Sequence, residues 1–159
     1  MKKNAFTMIE LVFVIVILGI LASVAVPRLA ASRDDANIAK YKSDISAIRS
    51  SIVTTRSQNL MSGNANFPDT EGADANVLFE GVLDYPIKPA VAGQTGWTGG
   101  GITTAVDANG DLINGRNYTL TLEGIAISFL YNNDDGVLDC LNENGGNAAA
   151  ISLCDILRQ

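Results

Sequence analysis

The chain has 159 residues, with 11 Lys plus Arg against 17 Asp plus Glu, a formal net charge of -6, and no histidine. That is the length of one ordinary domain. The missing imidazole removes the usual general acid or base, the commonest metal ligand and every Ser-His or Cys-His nucleophile pair. The charge is unevenly distributed: residues 1–60 hold eight basic and four acidic side chains, net +4, and residues 61–159 hold three and thirteen, net -10.

Five segments follow in chain order: 1–5, 6–27, 28–60, 61–116 and 117–159. Residues 1–5 carry Lys2 and Lys3 ahead of an apolar run from Phe6 to Pro27, 22 residues interrupted by one charge, Glu10. A helix of about 20 apolar residues crosses a bilayer core. The lysines place the N-terminus in the cytoplasm and the rest outside. A cleaved secretory signal ending at small residues such as Ser23-Val24-Ala25 competes with this reading. Glu10 argues against it, because an ionised carboxylate deep in the membrane costs roughly 2.5 to 3.5 kcal/mol and serves no purpose in a signal peptide. A free terminal amine would give that carboxylate a partner. Cleavage between Ala5 and Phe6 makes Phe6 the new terminus and Glu10 the fifth mature residue, so that one copy's carboxylate can pair with a neighbour's ammonium between docked helices. The arrangement implies self-assembly.

The run Lys2-Lys3-Asn4-Ala5, then Phe6-Thr7-Met8-Ile9-Glu10-Leu11, an apolar stretch and Pro27, resembles the class III signal of type IV pilins and type II secretion pseudopilins over about the first 30 residues. The resemblance implies that a prepilin peptidase cuts after Ala5 and methylates Phe6. It places the family's assembly glutamate on Glu10, its second mature residue on Thr7 and its helix-kinking proline on Pro27. Ala5 departs from the family's usual Gly, and as the next smallest residue it is expected to allow cleavage at a lower rate.

Beyond Pro27 an amphipathic helix continues to residue 60, with Ile38, Tyr41, Ile45, Ile48 and Ile52 at spacings of 3, 4, 3 and 4 forming one apolar stripe. The stripe is expected to pack on the chain's own sheet rather than in a coiled coil, since only about two heptads are sustained. No glycine or second proline interrupts 28–60, so about 50 residues can form one rod on the order of 75 Å long. Pro27 removes an amide donor and predicts a kink or a melted turn. Gly19 reads equally as a hinge or as a close-packing position, and the resemblance implies a stretch between Gly19 and Pro27 that can unwind on assembly.

Residues 61–116 are rich in Gly, Asn, Ala and Thr, with Pro68, Pro86, Pro89 and Gly99-Gly100-Gly101, and read as an irregular connection with a short helix near 74–83. The period then becomes two. Tyr118, Leu120 and Leu122 form one strand face, Ile125, Ile127, Phe129 and Tyr131 another, with a tight turn at Glu123-Gly124 and a third strand from Val137 to Leu141. The expected fold is α+β: a pilin-like ladle whose long helix, half transmembrane and half amphipathic, packs on a three- to four-stranded antiparallel sheet.

Cys140 and Cys154 are the only cysteines, and an outward-facing segment with an even count favours a disulfide. Pilins likewise close a C-terminal loop with two cysteines. Two acidic turns, with Asp107, Asn109 and Asp111 in one and Asp134 and Asp135 in the other, suit either calcium, which takes six to eight oxygens, or backbone turn geometry alone. The EF-hand spacing fails at Leu112 and Tyr118, and the turn reading carries more weight. No other cofactor is expected.

Nothing suggests an enzyme: no thiol lies beside a base, and Gly96 to Gly101 lacks a phosphate loop's strand-to-helix setting. The expected function is a structural subunit of a type IV pilus-like filament, a secretion pseudopilin or a pilin. Its expected partners are further copies, other pilins, the prepilin peptidase and an inner-membrane assembly platform. The expected location is the bacterial inner membrane, single-pass with the C-terminal domain periplasmic, and after assembly a periplasmic pseudopilus or an extracellular pilus. The alternative is a minor pilin that binds DNA for uptake or mediates adhesion. A net -10 outer segment with scattered Lys88, Arg116 and Arg158 disfavours nucleic acid.

Overall fold

A computed structural model describes residues 6–72, 74, 76–106, 112–141 and 147–159. The chain divides into two compact units, residues 1–37 and 38–159. Helix α1, Met8–Met61, contributes to both. It runs without a break through Gly19 and Pro27, so the turn expected to melt keeps a helical backbone here. Gly63, at φ 83°, ends it. The Asn64 amide reaches back to the Asn59 carbonyl at 2.8 Å and the Gly63 amide to that of Leu60 at 3.1 Å, the paired bonds by which a left-handed glycine closes a helix.

The second unit is built on a four-stranded antiparallel sheet in sequence order: β1 (Gly96–Val106), β2 (Leu112–Leu122), β3 (Ile125–Asn132) and β4 (Leu138–Cys140). The β2–β3 hairpin turns on Glu123 and Gly124, both at positive φ (51° and 78°), as a two-residue turn matched to strand twist requires. Alternation holds as expected: Tyr118, Leu120, Leu122, Ile127, Phe129 and Tyr131 are all buried. Against them lies the α1 stripe, with Tyr41, Ile45, Ile48 and Ile52 in the same core and Tyr41 edge-on to Trp97 at 6.5 Å.

Three features differ from expectation. The connection assigned to 61–116 contains all of β1 and the start of β2, so the sheet has a strand where the glycine run suggested loop. Glycine is what makes the strand possible. Register slips between Gly99 and Gly101, Gly99 and Gly100 sit at φ 107° and 91°, and a methyl group on Gly100 would strike the Glu71 carboxylate. No helix forms near 74–83; the described residues there turn around a lone bridge between Leu78 and Ile87. Finally, the C-terminal loop holds a second helix, α2 (Ala148–Arg158), started by the Asn147 side chain accepting the Ala149 amide at 3.0 Å.

The bulge leaves room for a strap, residues 67–71, that crosses three strands. Tyr131 on β3 donates to the Pro68 carbonyl at 2.6 Å. Arg116 on β2 grips Asp69 with two bonds of 2.5 and 2.6 Å and donates to the Gly100 carbonyl on β1 at 2.8 Å. The Tyr118 hydroxyl donates to Glu71 at 2.7 Å and accepts from buried Thr70 at 2.7 Å. Burial pushes both phenols up, Tyr131 to about 12, so they remain donors at any ordinary pH.

The Arg116 hydrogen bonds hold the Asp69 carboxyl below its usual range. A depressed folded-state pKa contributes stability above the unfolded value of about 3.9 and loses it as pH falls through the folded one. The urea midpoint of the full chain in detergent should therefore drop in acid. An Asp69→Asn variant should begin lower at neutral pH and show a shallower acid fall; equal slopes would contradict the assignment.

Candidate functional site

Residues 8–26 of α1 form a span of mean hydropathy 2.9 in which no residue is buried inside the chain. Phe13, Leu18, Ile20 and Leu21 are each more than half exposed. In water such an uncovered apolar surface is strongly unfavourable, so it needs lipid, other helices or both.

At the head of this span the chain makes a reciprocal cap. Thr7 precedes the first helical residue, and Glu10 is the third residue of the helix. Glu10 Oε2 accepts from the Thr7 amide at 2.9 Å and the Thr7 hydroxyl at 2.8 Å, while the Glu10 amide approaches Thr7 Oγ1 at 3.4 Å. The sequence Thr-x-x-Glu thus satisfies helix-start donors that have no partner within the helix. Its Oε1 has no partner among the described residues, so the carboxylate can hold its own helix and still face a cation. Phe6 is 84% exposed directly before it. Ala5 lies outside the described residues.

The Thr-x-x-Glu cap and the bare apolar helix behind it lie in the stretch that a known family model matches. Residues 1–26 match the family model described as the prokaryotic N-terminal methylation motif. The type IV narrow pilus major component PilA5 of Thermus thermophilus is 37% identical over 78 residues, which is 48% of this chain and 67% of that protein. The chain belongs to the type IV pilin and type II secretion pseudopilin family. Type II secretion system core protein G is also similar: that of Klebsiella michiganensis is 39% identical over 70 residues (44% of this chain, 46% of the relative), and that of Escherichia coli 32% over 91 (57% and 56%). This pilin-family chain therefore spans two thirds of the pilus component and about half of each secretion protein. No solved structure gives a significant match.

Of the remaining positions, Cys140 and Cys154 form the expected disulfide, with Cα atoms 6.2 Å apart, tying β4 to α2. Asp107, Asn109 and Asp111 lie outside the described residues. Asp134 and Asp135 sit in a turn that uses side chains for geometry: the Asp134 amide donates to the Asn132 side chain and Asp135 Oδ1 accepts the Val137 amide, both at 2.9 Å. Among the described residues no group of three or more His, Cys, Asp or Glu is placed to hold a metal.

Sequence reading missed the polar hub that supports the disulfide. Arg158 on α2 donates to both oxygens of Asp139 at 2.8 and 2.9 Å, and Arg49 on α1 donates to the Leu138 carbonyl at 3.0 Å from Nη2. These residues are 19 and 89 positions apart, and no local signal links them.

Proposed function

We propose that this pilin-family chain is a structural subunit of a type IV pilus-like filament, inserted in the inner membrane with its acidic unit outside. A prepilin peptidase cuts it between Ala5 and Phe6 and methylates Phe6, and it polymerises through α1. The observation that carries this reading is the Thr7–Glu10 cap at the head of a wholly uncovered apolar span. A carboxylate there is costly in lipid unless a cation meets it, and the new amine of an adjacent copy is the cation that processing creates. Relatives are named for both a pilus and a secretion system, and the higher coverage of the pilus component balances the number of secretion relatives.

Expression of the full chain beside a prepilin peptidase and an assembly platform tests the reading. Shearing or spheroplasting should release sedimentable filaments containing this chain. A chain that stays in the membrane as a detergent-extractable monomer under those conditions would contradict it.

A further inference from the structure

We propose that Arg56 is an intersubunit anion site, taking a carboxylate from a second copy of the chain. The proposal rests on the filament reading above and adds to it a contact within the folded unit.

Four arginines lie in the unit 38–159, and three of them have carboxylate partners: Arg49 and Arg158 with Asp139, and Arg116 with Asp69. Arg56 has neither an ion pair nor a hydrogen bond among the described residues. Its Nη1 is shielded from solvent and meets no acceptor. A desolvated cation without an anion beside it is unfavourable, and because the Arg56 side chain as a whole stays partly exposed, a carboxylate reaching its open atoms would offset that charge.

The guanidinium is also held in place. It stacks on the Phe67 ring at 3.4 Å from the centroid, and Phe67 in turn lies against Gly136, where any Cβ would collide with the ring. A planar cation fixed on an aromatic face has little freedom left to lose when it binds a carboxylate through two bonds.

Its surroundings have the composition of an interface centre. Val53 and Leu60, one turn before and one turn after it on α1, are 66% and 50% exposed, and Val137 is 50% exposed. Val53 and Val137 also line a groove of about 230 Å³ that Arg49, Gly136, Leu138 and Asp139 complete. An arginine stacked on an aromatic ring, with exposed apolar side chains one helical turn to either side, has the composition of a strong contact.

Charge selects the occupant. The outer segment is net -10, so another copy brings carboxylates in excess. Asp35, Asp84, Glu123 and Asp155 are exposed and have no ion pair among the described residues. Glu123 stands at the tip of the β2–β3 hairpin.

Self-association of the full chain, measured by sedimentation in detergent and by filament yield in cells, tests this. In Arg56→Glu, association should fall at least tenfold and lose its weakening by salt; Arg56→Gln should fall less and serves if the reversal misfolds, with Cys140–Cys154 closure as the folding control. Reversing one of Asp35, Asp84, Glu123 or Asp155 to Arg in the Arg56→Glu chain should restore association. Normal association of folded Arg56→Gln overturns the proposal. No association of the unaltered chain overturns the filament reading as well, which separates the two failures.

Discussion

Replacing Glu10 with Gln is expected to leave membrane insertion intact and to abolish most filament formation. The amide oxygen can still accept from the Thr7 amide and hydroxyl, so the cap seen at 2.9 and 2.8 Å is largely kept. What disappears is the charge. Removing one member of a buried ion pair costs about 3 to 5 kcal/mol, and at about 1.4 kcal/mol per tenfold this is roughly two to three and a half decades in subunit association. Glu10→Ala loses cap and charge together and should assemble no better than Glu10→Gln. Insertion should if anything improve, because a costly carboxylate leaves the apolar span. Carbonate extraction measures insertion and sheared-filament yield measures assembly. Filaments from Glu10→Gln at the unaltered level would remove the charge pair from the account.

The second large effect is expected at the disulfide. Paired replacement of Cys140 and Cys154 by Ser should destabilise the folded unit by about 3 kcal/mol, the chain-entropy value for a loop of about 15 residues. That is a large share of the roughly 5 to 15 kcal/mol that holds a domain together. Apart from the Arg49 and Arg158 contacts to β4, this end of the sheet is lightly held. Strand β4 has three residues, and α2 buries only Ala150, Cys154 and Leu157. The Arg158–Asp139 pair is partly exposed and contributes about 1 kcal/mol or less. Hydrogen exchange should therefore accelerate first in α2 and β4, while the α1 stripe and β2–β3 remain protected. An unchanged denaturation midpoint, or uniform acceleration across the sheet, would contradict this assignment.

What could be read from the sequence was whatever depends on near neighbours. The α1 stripe needs spacings of 3 and 4, and the β2–β3 hairpin two residues at positive φ. Both are local. Strand β1 was not legible because its glycines are permitted, and needed, by partners far away: Glu71 lies over Gly100, and the Asn117 backbone presses on Gly99. The strap of residues 67–71 likewise exists only once three strands are side by side. Helix α2 did leave a signal, an Asn147 cap followed by Ala150, Cys154 and Leu157 at helical spacing. Cys154 lies inside that helix, and a cysteine pair enclosing Asn144-Gly145-Gly146 is read from sequence as a closed loop. At the head of α1, Glu10 stood out as the one charge in the apolar run and Thr7 only through the family resemblance, whereas the cap they form appears only in the structure. Arg56 was invisible as a site, because what distinguishes it is the lack of a partner that its three fellow arginines have.

The proposal that a new terminal amine at Phe6 meets Glu10 depends on one covalent event, so the mature N-terminus is the most direct place to test it. Mass spectrometry of the chain taken from sheared filaments should find a terminal peptide beginning at Phe6 and carrying one added methyl group on its amine. An intact Met1 in assembled filaments, or a terminus near Val26, would contradict the account.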